Sequence, residues 1–268
     1  MTIDGLLRLA LIDALEARVL IAHALQCSRV QLVIRSQDAL SNEEVSNISA
    51  LFLRRMEGEP VAYITGEREF FGLNFRVTPD VLIPRPDTEL LVELAEARLP
   101  RQGSVLDMGT GSGAVAVSLA HLRRDARVTA TDISETALVV AQHNASTHGV
   151  DVQFLQSDWY NALHGQFDLI VSNPPYIAAG DPHLRQGDLR FEPPHALTDA
   201  RDGLSALSAI IQGAPRFLKP DGWLLLEHGY DQADAVAALL RKAGWDGVQS
   251  WPDLAGILRV SGASLPAK

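Results

Sequence analysis

Val105-Leu106-Asp107-Met108-Gly109-Thr110-Gly111-Ser112-Gly113 decides how the rest of this chain is read. Its first half has the pattern of a buried strand, and its second half opens a helix. Glycines at such a junction let the backbone turn sharply and let a ligand approach the main chain. From about Pro79 onward, strands and helices alternate around it. Strands are expected at Ser104–Met108, Arg127–Asp132, Val152–Gln156, Asp168–Ser172 and Trp223–His228. Helices are expected at Ala114–Leu122, Glu135–His148, Leu204–Phe217 and Gln232–Ala243. That alternation predicts an open, mostly parallel α/β sheet with helices on both faces. Ligands in such sheets bind beyond the C-terminal ends of the strands.

The glycines are spaced Gly-x-Gly-x-Gly, whereas the dinucleotide fingerprint is Gly-x-Gly-x-x-Gly. An acid, Asp107, stands two positions before the first glycine. A pyrophosphate suits neither feature. S-adenosylmethionine carries a cationic ammonium and a sulfonium, and suits an acidic, carbonyl-lined loop. Asp132 ends the next strand, where an acid can accept hydrogen bonds from both ribose hydroxyls. It can equally cap the helix that starts near Ser134, and the glycine loop upstream favours the ribose. The third strand ends in Ser157-Asp158-Trp159. There a carboxylate can accept from an adenine amino group and an indole can cover its face, against ordinary core packing of Trp159.

Asn173-Pro174-Pro175-Tyr176 follows the fourth strand. Each proline disfavours the helical region for the residue before it, and two fixed φ angles stiffen the turn. A stiff turn at a strand end can aim the Asn173 side chain and the Pro174 carbonyl into a cleft. The chemistry that needs such a pair is methylation of a planar nitrogen. An amide or aromatic amino nitrogen has a delocalised lone pair and attacks a methyl sulfonium poorly. Two acceptors can hold its two N–H groups, orient the nitrogen and favour the positive charge that develops there. Tyr176 can stack on the planar group. The eight histidines show no metal spacing, so no metal site is expected.

The region before this differs. Leu6 to Ala24 carries apolar residues at helical spacing, a second helix is expected over Ser28–Ile34, and a third runs from a capping box at Ser41–Glu44 to Met56. Val61–Thr65 and Phe70–Val77 read as short strands, a possible hairpin. Residues 1–75 are therefore expected to form a small helical domain with a short hairpin linker, and residues 76–268 the catalytic domain. With 268 residues, 47% hydrophobic and 21% charged, the chain can bury a sizeable core. A net charge of -10 disfavours phosphate backbones as partners. The single cysteine, Cys27, excludes an internal disulfide and reads as a packed thiol. No stretch approaches the length needed to cross a bilayer, and charges interrupt the apolar N-terminus, so a cytoplasmic location is expected.

These motifs resemble class I amino-methyltransferases, which act on adenine N6, guanine N2 or glutamine side chains. Three further stretches narrow the resemblance to the HemK/PrmC family: Pro60-Val61-Ala62-Tyr63-Ile64-Thr65-Gly66, Leu82-Ile83-Pro84-Arg85-Pro86-Asp87-Thr88-Glu89, and Leu225-Leu226-Glu227-His228-Gly229. The resemblance implies a class I, Rossmann-like S-adenosylmethionine-dependent domain behind a helical substrate-recognition domain. It implies methylation of the glutamine in the Gly-Gly-Gln motif of class 1 peptide-chain release factors. It assigns Gly109, Thr110, Gly111, Ser112, Gly113, Asp132, Trp159 and Asn173 to the cofactor, and Asn173, Pro174, Pro175 and Tyr176 to the glutamine, with Asn173, Pro174 and Tyr176 carrying the chemistry. The Arg85–Glu89 segment would lie near the cleft, or Asp87 or Thr88 would simply cap the next helix. Asp87 stands where many members carry Glu, and the ending around Asp253–Val260 fits the family loosely. A base methyltransferase with the same site, acting on a flipped nucleotide, is the alternative.

Overall fold

A computed structural model describes residues 1–265. They divide into two compact units. Residues 1–67 and 185–191 make the first; residues 68–184 and 192 onward make the second.

The first unit is helical, with helices at Ile3–Leu9, Ala14–Ala24, Arg29–Ile34, Asn42–Met56 and Val61–Thr65. The apolar run expected as one helix from Leu6 is broken at residues 10–13. Asp13 restarts it by accepting hydrogen bonds from the Leu15 and Glu16 amides. The capping box at Ser41 and Glu44 forms, and Ser28 with Gln31 makes a second. Val61–Thr65 is a helix, not the strand its β-branched residues suggested. The Pro60 carbonyl accepts from the amides of Tyr63 and Ile64, and Thr65 Oγ1 bonds back to the Val61 carbonyl at 3.0 Å. Burying Ile64 with Ile21, Ile48 and Phe52 overrides the local preference. Cys27 packs against the same cluster. Arg55 draws residues 185–191 into this unit through Asp188, at 3.2 Å.

The second unit opens with a hairpin, β1 (Glu67–Phe70) and β2 (Leu73–Arg76). Its main sheet has seven strands: β3 (Ser104–Met108), β4 (Arg127–Asp132), β5 (Gln153–Gln156), β6 (Phe167–Ser172), β7 (Leu218–Glu227), β8 (Asp246–Pro252) and β9 (Leu258–Ser264). Their spatial order is β5-β4-β3-β6-β7-β9-β8. β3 is central and buried along its whole length, so it reads as a continuous apolar run around one acid. Alternation then splits the core. Val105, Leu169, Val171 and Leu225 face one hydrophobic cluster; Leu106, Met108, Ile170, Leu224 and Leu226 face the other. Each cluster is covered by helices, Glu89–Arg98 and Ala114–Leu122 on one face, Ser205–Gly213 and Ala233–Lys242 on the other. Full burial of each large aliphatic side chain stabilises the unit by about 1.5–3 kcal/mol.

β3 to β7 are parallel, as the alternating pattern implied. One strand breaks the pattern: β9 runs antiparallel between β7 and β8, and β8 at the edge keeps the direction of β7. Asp253 closes the β8–β9 turn, its Oδ1 accepting from the Ala255 and Ile257 amides. The chain builds outward from β3 to β4 and β5, then returns to place β6 on the other side of β3. That reversal opens a crevice at the C-terminal ends of β3 and β6. Among the described residues, no helix is long and apolar enough to cross a membrane.

Candidate active site

A cavity of about 600 Å³ occupies that crevice, within the second unit. Gly109, Gly111, Asp132, Ile133, Asp158, Trp159, Asn173 and Pro175 line one side; Asp80, Val81 and Leu82, with residues between Pro194 and Ala206, line the other. The volume suits an enclosed organic ligand.

The glycine loop is fastened to the end of β4. The Gly109 and Thr110 amides donate to the Thr131 carbonyl at 2.8 and 2.9 Å, and the Gly111 amide donates to Asp132 Oδ2 at 2.9 Å. Gly109 and Gly111 have φ of 73° and 55°, and a side chain on either would enter open space. The loop therefore presents bare backbone to the cavity, the cradle a nucleoside-bearing ligand needs. Thr110, Ser112 and Gly113 do not line it. The Thr110 hydroxyl donates to Asp107 Oδ2 at 2.6 Å, the Ser112 carbonyl accepts from Asn144 at 2.8 Å, and Gly113 begins the next helix. Asp107 is also absent from the wall. It is buried inside the loop, where it accepts from Thr110 and from the Ala116 amide. Burial pushes its carboxyl up to about 7, the two hydrogen bonds oppose that, and Asp132 adds to it. The acid before the glycines thus braces the loop from within.

Asp132 faces the cavity and does not cap the following helix. Ser134 does that, through the Ala137 amide. Among the described residues, Asp132 Oδ1 accepts from the Ser134 amide alone, at 2.9 Å. Trp159 reaches the wall on a backbone with φ of 46°, unusual for a bulky residue. Ser157 holds that turn, donating to the Trp159 carbonyl at 2.8 Å and accepting from the Ala162 amide at 3.0 Å.

In the turn after β6, Asn173 and Pro175 line the cavity, Pro174 is buried, and Tyr176 packs into the core. Asn173 Nδ2 donates to Thr88 Oγ1 at 3.2 Å. The Tyr176 hydroxyl lies 3.4 Å from Glu227 Oε1, and burial raises its pKa far above the usual phenol value. Gln232 Nε2 donates to the Tyr176 carbonyl at 2.9 Å and fastens the turn from behind. The four residues of the motif are thus neighbours, but two face the cavity and two face the core.

Sequence reading set the stretch from Leu82 to Glu89 near the cleft by resemblance, but missed Asp80, Val81, the wall from Pro194 to Ala206 and the support from Glu192. Glu192 accepts from the Ile83 amide at 3.0 Å and from the Arg85 guanidinium, and so holds the stretch that carries Val81 and Leu82. The signal available was a second proline pair behind a polar residue, Glu192-Pro193-Pro194, after Asn173-Pro174-Pro175. Periodicity marked none of these residues.

A seven-stranded sheet with one antiparallel strand inserted, a glycine cradle after β3 and an acid ending β4 define a class I S-adenosylmethionine-dependent methyltransferase fold. The comparisons agree. Residues 86–187 match the methyltransferase small domain, and residues 6–66 the PrmC N-terminal domain. A solved methyltransferase from Pyrococcus furiosus shares the fold at a TM-score of 0.58 and 20% identity, over 82% of this chain and 100% of that one. A 16S rRNA N2 G1207 methyltransferase of T. thermophilus, solved with AdoMet and guanosine, superposes at a TM-score of 0.55 and 25% identity, over 74% of this chain and 49% of that one. The release factor glutamine methyltransferase of Burkholderia pseudomallei is 55% identical over 99% of this chain and 96% of its own length. The chain belongs to the release factor glutamine methyltransferase family.

Proposed function

We propose that this chain transfers a methyl group from S-adenosyl-L-methionine to the side-chain amide nitrogen of the glutamine in the Gly-Gly-Gln motif of class 1 peptide-chain release factors. The observation that carries the reading is the tethered amide of Asn173. It stands on the wall of the same cavity as the glycine cradle and Asp132, with its nitrogen committed to Thr88. Its carbonyl oxygen is then the atom left for a substrate N–H. The Pro174 backbone carbonyl supplies the second acceptor. Held by both, the glutamine amide nitrogen points at the methyl, and the charge that develops on it meets two oxygens.

The methyl donor supplies an electrophilic carbon on a cationic sulfur. Gly109 and Gly111 receive it on bare backbone, with Thr110, Ser112 and Gly113 shaping their loop. Asp132 accepts from its ribose, and Trp159 and Asn173 close around it. Pro175 borders the space for the glutamine, and Tyr176 braces the turn from the core. The helical N-terminal unit, residues 1–67 and not the expected 1–75, takes part in holding the protein substrate. A substrate that acts in translation supports a cytoplasmic location, and the net charge of -10 disfavours stable nucleic-acid binding.

The test is methyl transfer from labelled donor to three acceptors side by side: a purified release factor, the same factor with its Gly-Gly-Gln glutamine replaced, and a mixture of DNA and RNA. Label on the intact factor alone supports the reading. Label on nucleic acid alone reassigns the site to a flipped base.

A further inference from the structure

The Arg85–Glu89 segment had two open readings in the sequence, and capping was one of them. The structure gives its polar side chains other partners. Arg85 pairs with Glu192, Asp87 pairs with Arg259 at 3.0 Å, and Glu89 accepts from the Phe71 amide at 3.0 Å. Thr88 occupies the N-cap position of the helix Glu89–Arg98, yet its side chain makes no capping hydrogen bond. It is buried, and its hydroxyl lies between two functional groups. Oγ1 accepts from Asn173 Nδ2, and the hydroxyl lies against the buried carboxylate of Glu227.

Glu227 is the last residue of β7. The β6–β7 register pairs Ser172 with Leu226, which sets Glu227 beside Asn173. Its side chain is 1% exposed, and it does not line the cavity. Besides Thr88 it meets the Tyr176 hydroxyl, so two residues of the turn and its neighbourhood are referred to one carboxylate.

Hydrogen-bond direction gives this arrangement a consequence. An ionised carboxylate only accepts. Thr88 and Tyr176 must then point their protons at Glu227. With its proton spent, Thr88 offers Asn173 only lone pairs, and only the NH2 side of the Asn173 amide can meet them. A primary amide anchored by its nitrogen shows its oxygen on the other side. A flipped Asn173 would set its own N–H groups against those of the substrate amide.

We propose that Glu227 is a positioning residue for methyl transfer, acting through the Thr88 hydroxyl to hold the Asn173 carbonyl oxygen towards the substrate amide, and through Tyr176 to hold the turn. This rests on the amide-nitrogen reading of the site given above.

The same network carries a pH dependence. Glu227 is faced by Thr88 and Asp87 from the turn before Glu89, by Tyr176 from the turn after β6, and by Arg259 from β9. Burial pushes its carboxyl up to about 7, Asp87 adds to that, and Thr88, Tyr176 and Arg259 oppose it. Its Oε2 is buried without a close hydrogen-bond partner among the described residues, which leaves that burial uncompensated on one side. Once protonated, Glu227 can donate to Thr88, and the hydroxyl is free to turn towards Asn173. The orientation is lost on the acid side of that pKa.

The test uses the full-length protein and three variants: Thr88→Val, Thr88→Ser and Glu227→Gln. The first readout needs no turnover. In the ligand-free protein, the side-chain amide signals of Asn173, identified by their loss in Asn173→Ala, should form one shifted, exchange-protected pair. Thr88→Val should abolish that protection and Thr88→Ser restore it. The second is kcat with whichever acceptor the wild type methylates. Thr88→Val should lower it about tenfold or more, the scale of one lost hydrogen bond of about 1.4 kcal/mol or more, with KM for the donor little changed. Thr88→Ser should recover most of it. Glu227→Gln should lower kcat and remove the acid limb of its pH profile near 7. Asn173 signals indifferent to Thr88→Val, or an acid limb unchanged in Glu227→Gln, would overturn the proposal. Wild-type label on a base, with the Asn173 signals behaving as expected, would instead sink the glutamine reading and leave the positioning role standing.

Discussion

Asn173 shows how much one side chain's surroundings decide. The residue alone is an ordinary polar amide. Placed on the cavity wall with Nδ2 bonded to Thr88, it becomes a directed acceptor. Asn173→Ala should cut methyl transfer by about 10²–10³-fold, the usual cost of removing one group that stabilises developing charge. Its thermal midpoint should stay close to wild type, since the side chain is only half-buried. Steady-state assays with a melting curve check both, and retained turnover would count heavily against the mechanism. Asp107 illustrates the opposite outcome. Sequence reasoning placed it facing a cation, and the structure buries it under the loop. Its folded-state pKa of about 7 lies above the ordinary value of 3.8. Between those limits the native state binds more protons than the unfolded chain, so stability from this residue falls as pH rises from about 4 to 7 and is flat above. Both loop donors go to Oδ2, so the carbonyl of an asparagine can receive them. Asp107→Asn should therefore gain on wild type in melting temperature as pH rises through that window. A difference independent of pH would remove Asp107 as the source.

At the level of elements, the strand-loop-helix unit around β3 was legible because three local signals coincide: a buried run, glycines, and an apolar helix. Gly113 adds a constraint that only neighbours explain. It has φ of 82° at the start of the helix, and a Cβ there would lie 3.1 Å from that of Ala141 and 3.3 Å from Val117 Cγ2. Gly113→Ala should cost about 1–3 kcal/mol from backbone strain and crowding, read as a lower urea midpoint at constant slope. Gly180→Ala is the control, since φ is not positive there and nothing lies within 4 Å. Equal midpoints for the two variants would refute the packing argument. Val61–Thr65 was misread at this scale because its side chains favour strands in isolation, while the bonds from Pro60 and the packing of Ile64 belong to the folded unit.

For the whole molecule, charge and chain order matter more than any one contact. With a net charge of -10, non-specific binding to duplex DNA near physiological salt should be weaker than about 10⁻⁴ M, the weak end of the usual range. A fluorescence-anisotropy titration checks this, and micromolar binding would revive the base-methyltransferase alternative. The sequence by itself determined the five parallel strands, the alternation of helices between them, and the places where a cofactor loop and an amide-handling turn end their strands. These are written in short-range periodicity and in local backbone restrictions of glycine and proline. The last two strands, β8 and β9, were not legible in it. Only the tertiary structure decided that β9 inserts antiparallel beside β7, that Glu192 fastens the far wall of the cavity, and that Thr88 and Glu227 stand behind Asn173. Those pairings join residues 85 to 139 positions apart in the last case, and 109 in the case of Ile83 and Glu192. No local pattern encodes them, because a buried polar group is matched to its partner by the packing of the sheet and not by spacing along the chain.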